Sequence, residues 1–267
     1  MDIEYIKNKW INRTDKDIEA GIRGWNSVVD EYIYSDDTRL DRNPFLIYLQ
    51  KKVPLSDDMS VLDVGCGAGA YSIALAEKVG KVTGIDYSPK MIEAAISSAS
   101  QMGIHNVEFM VCNWYDCSDH SFDGKFDFVF AHTTAAIADY NTFVKMINAS
   151  KTYGILCETA RRTDDVYDEI CKIAGIGANK DDAHVAYAFD TLWGRGLNPE
   201  IDYIDTVWKS SLPVGEAEAW YLGKLKTNSE IDNAVTGKIC EFLRSISKDG
   251  MVEETISTKL VNLFWKA

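Results

Sequence analysis

Hydrophobic positions change their spacing along the chain. Up to about residue 52 they recur at helical intervals. Ile18, Ile22, Trp25, Val29 and Ile33 share one face, and Thr14 with Asp17 three residues on reads as a capping box at its start. Asn43-Pro44 interrupts this, Phe45–Lys52 resumes a short helix, and Val53–Asp58 is a turn-rich connector. From residue 60, short apolar runs alternate with helical stretches. Val61–Val64, Lys81–Asp86, Val107–Val111, Phe126–Ala131 and Tyr153–Thr159 predict five strands. Between them, Tyr71–Val79 is helical. Ser88-Pro89 opens a second helix, with Met91, Ile92, Ala95, Ile96 and Ala99 as its buried stripe. Asp139 caps a third helix through Phe143, Met146 and Ile147, and a fourth runs from Asp164 to about Ala174 before Gly175.

The regularity then stops, and residues 176–200 read as irregular. Ile201–Lys209 alternates as a strand. Helices follow over 214–226 and 229–247, the second with Ser229 and Asp232 as a capping pair, and Thr255–Trp265 is a long last strand. Strands alternating with helices of this length predict an α/β fold: a Rossmann-like, seven-stranded, mostly parallel sheet with an antiparallel last strand. An N-terminal helical lid precedes it, and a helical insertion separates the last two strands. The expected organisation is a single domain over 1–267. It comprises a lid over 1–55, a ligand-binding core over 56–160, a substrate-covering region with the insertion over 161–252, and the final strand over 253–267.

Composition narrows the function classes. Of 267 residues, 46% are hydrophobic and 26% charged, which excludes a disordered chain. Twenty-eight Lys and Arg against 41 Asp and Glu leave a net charge of −13, so nucleic acid is not the expected partner. No apolar run approaches the roughly 18 residues of a membrane span, and Met1-Asp2-Ile3-Glu4-Tyr5 does not read as a signal peptide. The cysteines at 66, 112, 117, 157, 171 and 240 form no CxxC pair. They are expected to be reduced thiols in a cytoplasmic protein, with neither a disulfide framework nor a metal site.

The stretch that carries chemistry is Val61-Leu62-Asp63-Val64-Gly65-Cys66-Gly67-Ala68-Gly69-Ala70, between a strand and a helix. Glycines there let backbone approach a ligand closely. Gly65, Gly67 and Ala70 also satisfy the dinucleotide pattern GxGxx[GA], a weak signal alone. Asp63 separates the readings. A carboxylate two residues before the first glycine repels a pyrophosphate but suits a ligand that carries an ammonium and a sulfonium.

With these residues the chain resembles the class I S-adenosylmethionine-dependent methyltransferases over about residues 55–160. Asp63–Gly69 matches that family's DxGxGxG loop, which implies cofactor contacts at Asp63, Gly65, Cys66, Gly67 and Gly69. Gly84-Ile85-Asp86-Tyr87-Ser88-Pro89 puts an acid at the end of the second strand, 17 residues after Gly69, where one carboxylate can accept both ribose hydroxyls. Tyr87 and Met91 join that cofactor set. Asn113 stands where the family usually has an acid facing the adenine amino group, and Trp114 beside it can stack on the base or sit in the core. Phe126–His132 resembles the family's fourth-strand motif.

The resemblance implies S-adenosylmethionine as cofactor. The expected methyl acceptor is a small molecule, since the acidic charge counts against nucleic acid and the lack of a long apolar run against a membrane. Methyl transfer is an in-line displacement that needs a base only when the nucleophile carries a proton. His132, just past the fourth strand, is the candidate catalytic base and a further cofactor contact. Trp25, Tyr32, Thr133, Arg161 and Trp193 are the candidate substrate contacts. Two alternatives stay open: a nicotinamide-dependent oxidoreductase of the same fold, disfavoured by Asp63, and a non-catalytic S-adenosylmethionine-binding protein.

Overall fold

The computed structural model describes residues 2–11, 18–117, 120–177, 182–226 and 231–267. Its strands are β1 (Ser60–Val64), β2 (Lys81–Asp86), β3 (Val107–Val111), β4 (Phe126–His132), β5 (Ser150–Asp164), β6 (Glu200–Pro213) and β7 (Met251–Lys266). They make one sheet in the order β3-β2-β1-β4-β5-β7-β6. β1 runs parallel to β2, with Val61 opposite Val82, and to β4, with Leu62 opposite Val129. β2 and β3 are parallel with Ile85 opposite Met110, as are β4 and β5 with Ala131 opposite Leu156. The last strands are antiparallel. The mostly parallel, Rossmann-like sheet expected from the sequence is therefore present.

Helices follow the parallel strands: α4 (Ala70–Leu75) after β1, α5 (Pro89–Gln101) after β2 and α6 (Tyr140–Ala149) after β4. Local chemistry sets their starts. The Ser88 hydroxyl accepts the Met91 N–H, and Pro89 occupies the first turn, where its missing donor costs nothing. Asp139 accepts the Thr142 N–H over 2.8 Å while the Thr142 hydroxyl accepts the Asp139 N–H over 3.0 Å, a reciprocal box. On α5, Met91, Ile92, Ala95 and Ala99 are buried as expected. Ile96 lies on the flank of that stripe and is 52% exposed.

Several boundaries differ from the sequence reading. At the N-terminus α1 (Ile3–Lys9) precedes α2 (Ile18–Ser27), and α3 is Pro44–Lys52. The spacing through Val29 and Ile33 does not continue α2; residues 29–31 form a separate 3-10 turn. Thr14 and Asp17 lie outside the described residues, as does Ser229. β5 runs on to Asp164, so the next helix, α7 (Tyr167–Ile173), starts later. Asp164 caps it from the strand end, accepting the Tyr167 N–H over 2.8 Å. Residues 176–200, where the pattern predicts irregular structure, hold α8 (Ala183–Gly194). Its run His184-Val185-Ala186-Tyr187-Ala188-Phe189 is apolar nearly all round, so no polar face marks its period. Between β6 and β7 stand α9 (Val214–Lys226) and α10 (Asn233–Ile246), the expected insertion, with Asp232 capping α10 through the Val235 N–H.

The chain divides into two compact units. One comprises residues 1–158, 183–204 and 261–267. Its core joins Leu62, Val64, Ile85, Val129 and Leu156 of the sheet to Phe143 and Met146 of α6, Ile6 and Trp10 near α1, Leu192 of α8 and Trp265 of β7. The other comprises residues 159–182 and 205–260, with Ile170, Cys171, Tyr221, Leu225, Ile239, Leu243 and Val252 at its centre. Among the described residues, no helix is long and apolar enough to cross a membrane.

Candidate functional site

The carboxyl ends of β1, β2, β3 and β4 belong to the first unit and carry most of the residues singled out in the sequence. Asp63, near the end of β1, is buried, and its carboxylate accepts the Ser72 hydroxyl over 2.7 Å. Burial pushes its acid up to about 7; the charge of Asp86 adds to this and the Ser72 bond opposes it. Beyond it the loop bends through three left-handed glycines, Gly65 (φ 75°), Gly67 (φ 54°) and Gly69 (φ 79°). The N–H groups of Gly65 and Cys66 both donate to the Ile85 carbonyl, at 2.8 and 2.9 Å, which lays the loop over the end of β2. A side chain at Gly65 would collide with Thr134, whereas one at Gly67 would find only the Met91 sulfur, 4.0 Å away. Backbone at Gly67 is thus open to close approach by a ligand.

Asp86 anchors the same loop. Its Oδ2 accepts the Gly67 N–H at 3.0 Å and its Oδ1 accepts the Ser88 N–H at 2.8 Å. Burial raises its acid above the ordinary range, and these backbone donors pull it back. Both carboxylate oxygens accept backbone N–H groups, and the pair has further lone-pair capacity. Tyr87 is half-buried and hydrogen-bonded to Trp25. The Ser88 hydroxyl reaches Asn26 over 2.7 Å, so α2 lies against the end of β2. Trp25 packs edge-on against Tyr32 with centroids 5.6 Å apart.

After β3 the structure corrects two expectations. Trp114 is core: it is buried, and its indole N–H donates to the Thr142 carbonyl over 2.9 Å, so its ring offers no free face to a base. Cys112 and Cys117 are joined by a disulfide rather than reduced, because the turn between them brings the two ends together. Asn113 organises that turn. Its amide nitrogen donates to Asp116 over 2.6 Å and its oxygen accepts the Tyr115 N–H at 3.2 Å. Cys66, Cys157, Cys171 and Cys240 are free.

His132 closes β4. Its ring lies 4.4 Å from that of Phe45 and 4.6 Å from that of Tyr71, measured between centroids. Nδ1 is 3.1 Å from the Thr133 hydroxyl, and Nε2 is buried without a hydrogen-bond partner. Burial pushes the imidazole down to about 3, so it stays neutral and is a weak base. Thr133 follows in a left-handed conformation (φ 46°), its N–H donating to the Cys157 carbonyl over 2.8 Å.

The group with the character of a base is one the sequence reading did not select. Glu158 follows Cys157, the β5 partner of His132. Its side chain is 16% exposed, and His184 Nε2 lies 4.0 Å from its carboxylate. Burial pushes the acid up to about 8, and such displacement is a mark of functional carboxylates. The available sequence signal was an acid at the carboxyl end of a parallel strand.

Two candidates remain. Arg161 belongs to the second unit, in a left-handed conformation (φ 53°), with its guanidinium 3.4 Å from Asp182. Trp193, on α8 of the first unit, is 63% exposed and stacks on Phe189.

Comparison with known proteins fits this geometry. A family model described as a methyltransferase domain matches residues 55–184. Over these residues, just under half of the chain, the protein is similar to a methyltransferase domain. Relatives of several kinds match parts of the chain. Aklanonic acid methyltransferase DauC of Streptomyces sp. (strain C5) is 50% identical over 54 residues, 19% of this chain and 24% of that protein. The release factor glutamine methyltransferase of Fusobacterium nucleatum is 32% identical over 122 residues, 45% of this chain and 34% of that protein. The chain therefore spans a quarter to a third of the length of these two relatives. The crystal structure of geranyl diphosphate C-methyltransferase from Streptomyces coelicolor A3(2) shares the fold, with a TM-score of 0.52 at 15% identity, over 93% of this chain and 97% of that one.

Proposed function

We propose that the chain transfers the methyl group of S-adenosylmethionine to a small-molecule acceptor. The observation that carries this reading is the loop–acid pair: open backbone at Gly67, where an added Cβ would meet only the Met91 sulfur at 4.0 Å, tied by its N–H to the carboxylate of Asp86. Donors and acceptors there fit the cofactor. Asp86 has lone pairs left for two ribose hydroxyls. The Gly65–Gly69 backbone, with Cys66 and Met91 beside it, would hold the sugar and the amino-acid part. Asn113 would face the adenine and Tyr87 the ribose. Asp63 supplies negative potential for an ammonium and a sulfonium, and a phosphate chain would be repelled there. When bound, the cofactor supplies an electrophilic methyl on sulfur.

The residues of this chain then bind and orient. His132, neutral and walled by Phe45 and Tyr71, excludes water and offers Nε2 as a hydrogen-bonding atom. Thr133 follows it at the mouth of β4, and Glu158, in its ionised fraction, is the proposed proton acceptor for a nucleophile that carries a proton. Trp25, Tyr32, Thr133 and Trp193, all of the first unit, are the proposed acceptor contacts.

Calorimetric titration with S-adenosylmethionine and with NAD tests the cofactor. Binding of the first alone is expected; binding of NAD alone overturns the reading in favour of an oxidoreductase. Incubation with methyl-labelled cofactor and a size-fractionated cell extract tests the acceptor. Label is expected in the low-mass fraction. Label in protein or RNA overturns the small-molecule assignment, and cofactor binding with no label in any fraction overturns the catalytic one.

A further inference from the structure

We propose that two copies of this chain join edge to edge through antiparallel pairing of their β6 strands, with Val207 opposite its own counterpart. β6 is the last strand in the sheet order, and among the described residues no strand pairs with its outer edge. Exposed edges are normally short, covered or loaded with charge, because a free row of N–H and C=O groups recruits another strand. This one is 14 residues long and none of them is buried. It leaves apolar and aromatic side chains in solvent: Tyr203 is 56% and Val207 58% exposed, with Ile201 and Trp208 also exposed. Its composition is that of a strand awaiting a partner.

Charge and symmetry select that partner and the register. In an antiparallel pair, residues directly opposite have the same hydrogen-bonding character and point to the same face. A two-fold axis between identical strands must therefore pass through a residue. With the axis at Val207, Asp205 of each copy faces Lys209 of the other, which gives two opposite-charge pairs around an apolar centre. With the axis at 205, Asp205 faces itself. At 206, Asp205 faces Val207 and Lys209 faces Tyr203. At 208, Asp205 faces Ser211 and Lys209 faces Val207. Only the axis at 207 satisfies both charges. Asp205 already pairs with Lys259 of β7, so the added lysine extends a row of alternating sign across the joined sheets. The strand is thus complementary to itself, as a two-fold interface requires.

Sedimentation equilibrium of the whole chain at about 50 μM, in the range where weak edge pairing is populated, tests this. The unsubstituted chain is expected to be dimeric. Lys209→Asp sets like charges opposite each other twice and is expected to weaken the dimer by about tenfold or more. Val207→Lys does the same at the axis. The exchange Asp205→Lys with Lys209→Asp restores both pairs and is expected to restore the dimer. All three positions are in solvent, and circular dichroism checks that each variant is folded. A monomer at this concentration, a dimer indifferent to Lys209→Asp, or a double variant no more dimeric than the single one would each overturn the proposal.

Discussion

The N–H of Gly67 donates to Oδ2 of Asp86 over 3.0 Å, so the acid that closes β2 also holds the middle of the glycine loop. Ser88 occupies the other oxygen. Asp86 is therefore a joint between loop and strand as well as a ligand acceptor. Asp86→Asn keeps the shape but turns one oxygen into a donor that faces an N–H. It is expected to weaken S-adenosylmethionine binding by about 1–3 kcal/mol. Calorimetric titration of the folded variant reads the loss, and unchanged affinity would exclude the ribose role.

Gly67 and Gly65 share a left-handed backbone but not a neighbourhood. Gly67→Ala is expected to cost about 1–2 kcal/mol of stability, the conformational penalty alone. Gly65→Ala adds a collision with Thr134 and is expected to cost at least about twice as much. Urea unfolding of the two variants gives the comparison. Gly67→Val is expected to leave the chain folded while blocking cofactor binding.

Asp63 is partly protonated at neutral pH, because its buried acid lies at about 7. A cationic ligand beside it favours the carboxylate and lowers that value. S-adenosylmethionine binding at pH 7 is therefore expected to release a fraction of a proton. Titration in two buffers of different ionisation enthalpy measures it. Zero release, or uptake, would show that the positive charge lies away from Asp63.

Glu158 sets a pH dependence of opposite sense to that of an ordinary paired carboxylate. Its folded value, about 8, lies above its ordinary 4.5. The contribution of the protonated group is complete below the lower value and is lost as pH rises through the higher one. Glu158→Gln should make the urea midpoint less sensitive to pH between about 5 and 9. If the variant falls as steeply as the parent, Glu158 is ionised in the folded protein.

The disulfide makes a countable claim. Denatured under non-reducing conditions, the chain should take up alkylating reagent at Cys66, Cys157, Cys171 and Cys240, with Cys112 and Cys117 reacting only after reduction. Mass spectrometry of the peptide spanning them separates the two states.

The parts of the fold governed by local chemistry were legible in the sequence. Ser88-Pro89 and Asp139 with Thr142 are short-range caps, and the structure has both. The glycine loop was legible because only glycine accommodates its bends. Trp114 was not, since stacking on a base and filling a core call for the same residue. Its indole N–H bond to the Thr142 carbonyl depends on α6 lying beside it, a long-range fact. The disulfide escaped for a similar reason, as its closure depends on the turn around Asn113. α8 was missed because its apolar surface is nearly continuous. Glu158 was passed over because an acid at a strand end reads as exposed until the packing around it is known.

The sheet order has a temporal side. β7 lies between β5 and β6 although it follows both in sequence. During synthesis β6 therefore emerges before the strand that fastens it to the sheet. The 37 residues from 214 to 250 come first, and at typical elongation rates they take roughly 2–7 seconds. Over that interval β6 has two open edges. A nascent chain paused after residue 250 should hold β3-β2-β1-β4-β5 assembled and β6 exposed, the stage at which chaperone capture or aggregation would have its opening.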